Sequence, residues 1–288
     1  MTKNKIGIVG NGYVGGAIAH GFSPAATGNC EVKVHDKIPE RSLNTLDEVV
    51  NESDFVFVSV PTPMNKNGSI SLKFIDKAFK EINGVNRRSD NIIILKSTVI
   101  PGTTEKLQKK YPSLNIVFNP EFLTERSARL DFINQTRIVL GGNKIHTSEV
   151  AKLFNDRFKY CHIIQTDYKT SEMIKYFCNV FFSVKVSFAN EMKMICDRIG
   201  ADWKTALEGF VADGRVGDSH LNVPGPDGKM GFGGSCFPKD INAFMSFADS
   251  IGVTTNVING AWKTNLDVRP EEDWKELKGR AIINEEEE

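Results

Sequence analysis

Apolar residues arrive along this chain in two different rhythms. Up to about residue 165 they come as short unbroken runs: Ile6 to Val9 in "KIGIVG", then "EVKVHD", "DFVFVSVP", "NIIILKST", "LNIVFNP" and "TRIVLGG". Runs of this length, bounded by Gly, Pro or polar residues, predict strands buried on both faces. Segments of helical spacing lie between several of them. Strand alternating with helix predicts the α/β class, a doubly wound parallel sheet over about residues 3–165. The rhythm then changes. From Tyr168 to about Ile199 no Gly or Pro occurs, while Met173, Phe177, Phe181, Val184, Phe188, Met192 and Ile195 recur at helical spacing. That predicts one helix roughly 45 Å long. Its apolar positions spread over more than one face, so it is expected to be buried on several sides, in a second domain or a dimer. Further helical segments follow, interrupted by the Gly/Pro-rich stretch 213–235. The expected division is a sheet domain over residues 1–166, then the long helix and a smaller helical domain over 167–288.

Composition narrows the function classes. A chain of 288 residues has ample material for one large or two modest cores. Its 36 Lys and Arg balance 36 Asp and Glu, so no global field draws it to nucleic acid or anionic lipid. The one charge run, the terminal "NEEEE", is expected to be a solvated tail. No secretory leader is expected at the start, and no apolar run approaches the roughly 18–20 residues of a membrane span. Cysteines 30, 161, 178, 196 and 236 are odd in number and lack paired metal-ligand spacing. They read as reduced thiols of a cytoplasmic protein with no metal.

Gly10, Gly12 and Gly15 form GxGxxG between the first predicted strand and the first predicted helix, with Tyr13 and Val14 inside the turn. In that context glycine lets the backbone approach a pyrophosphate at a helix N-terminus. Asp36 follows the next strand, 21 residues beyond Gly15, where a carboxylate accepts from a ribose 2′-hydroxyl and repels a 2′-phosphate. The expected cofactor is NAD rather than NADP, although Lys37 and Arg41 nearby weaken that exclusion. The alternative is an ordinary turn and a solvated aspartate.

"GFGGSCFPKD", residues 231–240, holds the other candidate chemistry. Pro238 fits the first turn of a helix, and Ala243, Phe244, Phe247, Ala248 and Ile251 continue a helical stripe. Cys236 is then expected just before a helix N-terminus, where the dipole favours a thiolate and Lys239 adds positive charge. Gly231, Gly233 and Gly234 would let a substrate come close. Residues alone leave Cys236 open between a nucleophile and a small residue on a tight turn. The other four cysteines read as small apolar filler.

Taken in order, "GIVGNGYVG", "VPTP" (60–63), "KSTVIPGTTE" (96–105), "NPEFL" (119–123), the Lys175/Asn179 pair and "GFGGSCFPKD" resemble the UDP-glucose 6-dehydrogenase/GDP-mannose dehydrogenase family. The resemblance covers nearly the whole chain, and the cysteine motif is its most specific part. It implies a Rossmann-like first domain and NAD-dependent oxidation of a nucleotide-sugar C6 alcohol to a carboxylate, with UDP-glucose the first guess. It also implies that Cys236 holds the intermediate as a thiohemiacetal and then a thioester. Lys175 and Asn179, which share a helix face, would stabilise the oxyanion. Glu121 would be the acid/base, and Asp240 and Thr98 would position water and the proton relay. By the same resemblance the cofactor touches Gly10, Gly12, Tyr13, Val14, Gly15, Asp36, Pro61, Thr98, Glu125 and Lys239. The substrate touches Glu121, Phe122, Leu123, Lys175, Asn179, Gly233 and Arg215. Arg215 resembles an arginine that reaches a neighbouring subunit's sugar, which with the long helix implies a homodimer. Read without the resemblance, Lys175 is a solvated lysine, Asn179 a packing residue and Arg215 a surface charge.

Departures from the family pattern are also visible. Arg126 stands where glycine is common, and the 222–230 loop is longer than in many relatives. Family chains usually continue into a second Rossmann-like domain that carries most of the nucleotide contacts, and no second glycine-rich βαβ pattern follows the cysteine helix here. The expectation is therefore an active dehydrogenase, set against an NAD-binding, dimerising module that needs a partner polypeptide. A hydroxyacid dehydrogenase with a lysine mechanism would not explain Cys236.

Overall fold

A computed structural model describes residues 4–284. The last residues of the acidic tail, Glu285 to Glu288, lie outside the described residues. The chain divides into two compact units, Met1–Thr62 with Leu72–Lys175, and Pro63–Ser71 with Tyr176–Glu288.

The first unit is built on strands β1 (Asn4–Val9), β2 (Cys30–His35), β3 (Phe55–Val58), β4 (Ile92–Leu95), β5 (Asn115–Phe118), β6 (Arg137–Gly142) and β7 (His162–Thr166), in the sheet order β2-β1-β3-β4-β5-β6-β7. Helices α1 (Tyr13–Gly21), α2 (Pro24–Thr27), α3 (Leu46–Asn51), α4 (Lys73–Val85), α5 (Thr103–Lys110), α6 (Ala128–Ile133) and α7 (Lys144–Arg157) connect them. The central strands read as continuous apolar runs because both faces are covered. Phe57 and Ile94 enter one core, gathered round Phe22, Phe132 and Phe154, while Val56, Val58, Ile93 and Leu95 enter the other. Phe22 stands within 6.4 Å of the ring centres of Phe57, Phe132, Phe154 and Phe158.

The sheet is mostly parallel, as expected of a doubly wound fold, with one exception. β6 meets β5 antiparallel, through Val117–Gly142 and Phe118–Gly141. A parallel return needs a full crossover, usually a helix of ordinary length. The β5–β6 connection instead carries an irregular segment, a single 3₁₀ turn (Glu125–Ser127) and the six-residue α6. β7 escaped notice in the sequence because "HIIQT" is an edge strand paired only with β6, and its residues are only partly covered.

Helix α8 spans Tyr168–Ile199, as its unbroken helical spacing predicts. The single chain buries one face, and that face is largely polar: Glu172, Lys175, Asn179, Ser183, Ser187 and Asn190 are buried. The apolar stripe running from Phe177 (68% exposed) through Phe181, Phe188, Met192 and Ile195 to Ile199 (72% exposed) faces out. The polar face is buried because it finds partners. In the second unit Ser187 Oγ donates to the Ala261 carbonyl at 2.6 Å, and Asn190 Oδ1 accepts from the Gly231 N–H at 3.0 Å.

The second unit continues with α9 (Trp203–Val211), α10 (Phe237–Ser250) and α11 (Asn256–Val268). Residues 63–71 join it through Met64, whose N–H donates to the Ala281 carbonyl and whose carbonyl accepts from the Ile283 N–H.

Candidate active site

Parallel pairing brings the carboxyl ends of β1, β3, β4 and β5 to one edge of the sheet, and the sequence motifs of the first unit sit there. Two glycines of the turn after β1 are demanded by the chain itself. A Cβ on Gly10, at φ +92°, would lie 2.3 Å from the Ser59 carbonyl oxygen, and one on Gly15 would lie 1.9 Å from that of Gly10. Gly12 is different. It precedes the first residue of α1, and a Cβ there would meet nothing within 4 Å. Packing does not require that glycine, whereas close approach of a pyrophosphate does. Asp36, just after β2, accepts from the Asn11 N–H at 2.6 Å and the Ile38 N–H at 2.8 Å, so its carboxylate is fixed beside the turn. Of the neighbouring cations, Lys37 lies over the Phe74 ring at 4.6 Å. The residues fit NAD, and NAD+ is expected to bind about 100-fold more tightly than NADP+. Calorimetric titration with each cofactor checks this; comparable dissociation constants would contradict the role of Asp36.

Glu121 lies beyond β5 in the same unit and is buried. Lys175 Nζ donates to the Glu121 carboxylate at 2.9 Å and to the Glu121 backbone carbonyl at 2.7 Å, and the Leu123 N–H donates to the other carboxylate oxygen at 2.7 Å. Burial pushes this carboxyl up, but the Lys175 ammonium and the Leu123 amide outweigh it and hold it below the usual glutamate range. Glu121 is therefore ionised at neutral pH and available as a base. Two residues not singled out from sequence complete this cluster. Lys96, at the end of β4, is buried, and Asn119 accepts from its Nζ at 2.9 Å. Burial pushes the Lys96 ammonium down to about 7, with Lys175 adding repulsion and Glu121 opposing both. A lysine ending an all-apolar strand was the available signal.

Thr98 is buried in the loop between β4 and α5. The far end of that loop is clamped by Glu172, a further residue that sequence reasoning passed over. Its carboxylate accepts from the Gly102 N–H at 2.5 Å, the Thr104 N–H at 2.8 Å and the Thr104 hydroxyl at 2.7 Å. Pro61 and Glu125 are exposed, as is Arg126. Phe122 and Leu123 are half-buried, and Phe122 is covered by the Arg137 guanidinium at 4.1 Å.

In the second unit Cys236 is the N-cap residue of α10, with Pro238 in the first turn. It is half-buried, and its Sγ lies 3.8 Å from the Ser235 hydroxyl. The Asp240 N–H donates to the Cys236 carbonyl at 2.9 Å, closing the first turn. Asp240 is buried and bonded on both oxygens, by Asn179 Nδ2 at 2.6 Å and by the Lys239 ammonium. Cys236, Lys239, Asp240 and Asn179 thus gather at one helix start. Two glycines of the motif have reasons of their own. A Cβ on Gly231 would lie 2.4 Å from Asn265 Oδ1, and one on Gly233 would lie 2.5 Å from the Arg269 guanidinium. Arg215 stands on the surface, paired with Asp213. Among the described residues no helix is long and apolar enough to cross a membrane, and no His/Cys/Asp/Glu group is arranged to hold a metal.

Comparison with known proteins places both units. The family model for the NAD binding domain of the UDP-glucose/GDP-mannose dehydrogenase family matches residues 31–159, and that for the family's central domain matches residues 169–267. The chain is 33% identical over 300 residues to UDP-glucose 6-dehydrogenase TuaD of Bacillus subtilis, covering 91% of this chain and 62% of that one. It is 38% identical over 225 residues to a UDP-glucose 6-dehydrogenase of Rickettsia typhi, covering 74% of this chain and 49% of that one. It therefore spans from about half to less than two thirds of the length of these relatives. Among solved structures, a UDP-glucose dehydrogenase from Pyrobaculum islandicum superposes with a TM-score of 0.78 at 26% identity, covering 92% of this chain and 68% of that one.

Proposed function

The chain belongs to the UDP-glucose/GDP-mannose dehydrogenase family, and on that premise we propose that it oxidises the C6 alcohol of a nucleotide-sugar to the carboxylate, with UDP-glucose as first substrate. The observation that carries this reading is Cys236 as the N-cap of a 14-residue helix, with Asp240 one turn inside and bonded by Asn179. NAD+ held at the glycine turn supplies the hydride acceptor for both oxidations. The thiolate adds to the C6 aldehyde carbon, its sulfur–carbon bond holding the intermediate as a thiohemiacetal and then as a thioester. Lys175 and Asn179, one turn apart on α8, carry the donors for the oxygen on which negative charge develops. Glu121, ionised and buried, takes the proton of the water that hydrolyses the thioester and leaves Cys236 as thiolate. UDP-glucose is placed first because the similar curated proteins bear its name.

A second copy of the chain is the proposed partner. The apolar stripe of α8 from Phe177 to Ile199 is too extensive a surface to leave in water, and Arg215, exposed and paired with Asp213 within its own chain, is the proposed contact to a neighbouring subunit's sugar.

Purified protein is expected to form NADH with UDP-glucose, about two NADH per sugar oxidised. The assay compares UDP-glucose with UDP-N-acetylmannosamine, GDP-mannose and UDP-galactose. Flat traces with all four overturn the reading and leave an NAD-binding module.

A further inference from the structure

β4 carries four buried apolar residues and is followed directly by a cation, Lys96, that is only 4% exposed. Its Nζ donates to two neutral acceptors, Asn119 Oδ1 at 2.9 Å and the Pro120 carbonyl at 3.3 Å. Asn119 is anchored in turn, its Nδ2 donating to the Val139 carbonyl at 2.8 Å. The ammonium thus lies under the backbone segment that presents Glu121. Charged groups face this cluster from every element around it: Lys175 from α8, and Asp131 and Arg137 across a cavity of about 210 Å³ that Lys96 and Glu121 both line.

The cluster holds one buried carboxylate and two buried ammoniums. Glu121 and Lys175 balance each other within bonding distance, so charge neutrality gives no reason for a second cation. Burying an ammonium against neutral acceptors is costly, and an apolar side chain of similar length would fill the same space more cheaply. A residue that works against stability in this way calls for a functional reason.

We propose that Lys96 is a positioning residue for Glu121, fixing the Asn119–Pro120 backbone beneath it and keeping its carboxylate ionised in the buried site. This rests on Glu121 acting as the base in the reaction proposed above. The influence is confined to acidic and neutral solution. Below about pH 7 Lys96 carries its charge and disfavours protonation of Glu121. Above that pH Lys96 loses its charge, but Glu121 no longer needs it.

Two variants separate the charge from the hydrogen bonds: Lys96→Met removes both, and Lys96→Gln keeps a donor for Asn119 and Pro120. The direct readout is infrared titration of the Glu121 carboxyl in the whole protein, assigned by its loss in Glu121→Gln. In both variants the titration is expected to move up by about one unit, the scale of losing one nearby opposite charge. Below the acid limb of the rate profile, a shift of that size means about tenfold slower NADH formation, with NAD+ affinity unchanged. The unfolding midpoint at neutral pH is expected to hold or rise, because the Glu121–Lys175 pair stays intact. An unmoved Glu121 titration in both variants overturns the proposal, and a lower unfolding midpoint beside it identifies Lys96 as a packing residue. The titration needs no turnover, so it decides the role of Lys96 even if none of the nucleotide-sugars is oxidised.

Discussion

Cys236→Ala is expected to abolish NADH formation, a fall on the order of 10⁴-fold or more, because removing a covalent nucleophile removes the intermediate itself. The substitution deletes one half-buried sulfur at a helix N-cap, and the backbone bonds of that first turn do not involve it. Folding should therefore be spared, and the unfolding midpoint should stay within about 1 kcal/mol of the parent. NAD+ affinity should also be unchanged, since the glycine turn and Asp36 belong to the other unit. Cys236→Ser discriminates further. Its hydroxyl is a poorer nucleophile and a poorer leaving group, so turnover falls while an acyl- or hemiacetal-enzyme accumulates, visible as a mass increase of the intact protein. Normal turnover by Cys236→Ala would remove the mechanism altogether, and unchanged mass in Cys236→Ser during turnover would argue against a covalent path.

Much of this site was legible because its parts are local in sequence. GxGxxG, Asp36 and the cysteine motif each combine glycine, proline or charge at fixed offsets, and local backbone physics turns those offsets into turns and helix starts. Cys236 falls at the N-cap, as Pro238 and the following stripe imply. What stayed hidden depends on tertiary packing. Read without the resemblance, Lys175 and Asn179 look like a solvated lysine and a packing residue, because the apolar positions of the helix are the ones expected to be buried. In the single chain Phe177, Phe181 and Phe188 face out, and the polar face is buried against hydrogen-bonding partners. Hydropathy periodicity gives the phase of a stripe but not which side of the helix finds the core. The antiparallel entry of β6 was hidden for a related reason, since a strand's own composition does not give its direction in the sheet. Lys96 and Glu172 escaped because a buried charge is recognised only by its partners. The glycines of the cysteine motif would let a substrate come close, and Gly231 and Gly233 have a packing reason as well, against Asn265 and Arg269.

Arg269→Met is expected to destabilise the second unit by about 3 kcal/mol, the lower end of the range for removing one member of a buried ion network. Arg269 is 2% exposed, and its guanidinium donates to Asp273 at 2.7 and 3.0 Å, to Asp227 at 2.8 Å and to the Met230 carbonyl at 3.3 Å. Those bonds tie the end of α11 to the 225–233 loop, from which the cysteine motif emerges. Asp227 and Asp273 keep some contact with water, which is why the lower end of the range applies. The acid range gives a second signature. Bonding to Arg269 holds the Asp273 carboxyl down at about 2, from an ordinary 3.8. A carboxyl whose proton affinity falls on folding stabilises the native state above its unfolded pKa, here about 4, and loses that contribution as pH falls through the folded value. The parent should thus lose about 2 kcal/mol between pH 4 and pH 2 through this group, and Arg269→Met should lose much less. Tryptophan fluorescence is the natural probe, because Trp203, Trp262 and Trp274 all lie in the second unit and report its unfolding separately from the sheet. If urea unfolding of Arg269→Met at neutral pH matched the parent, the network would be a surface ornament and Gly233 would lack its reason. A fall of the predicted size with the acid dependence unchanged would assign the stability to packing of the arginine stem rather than to its charge.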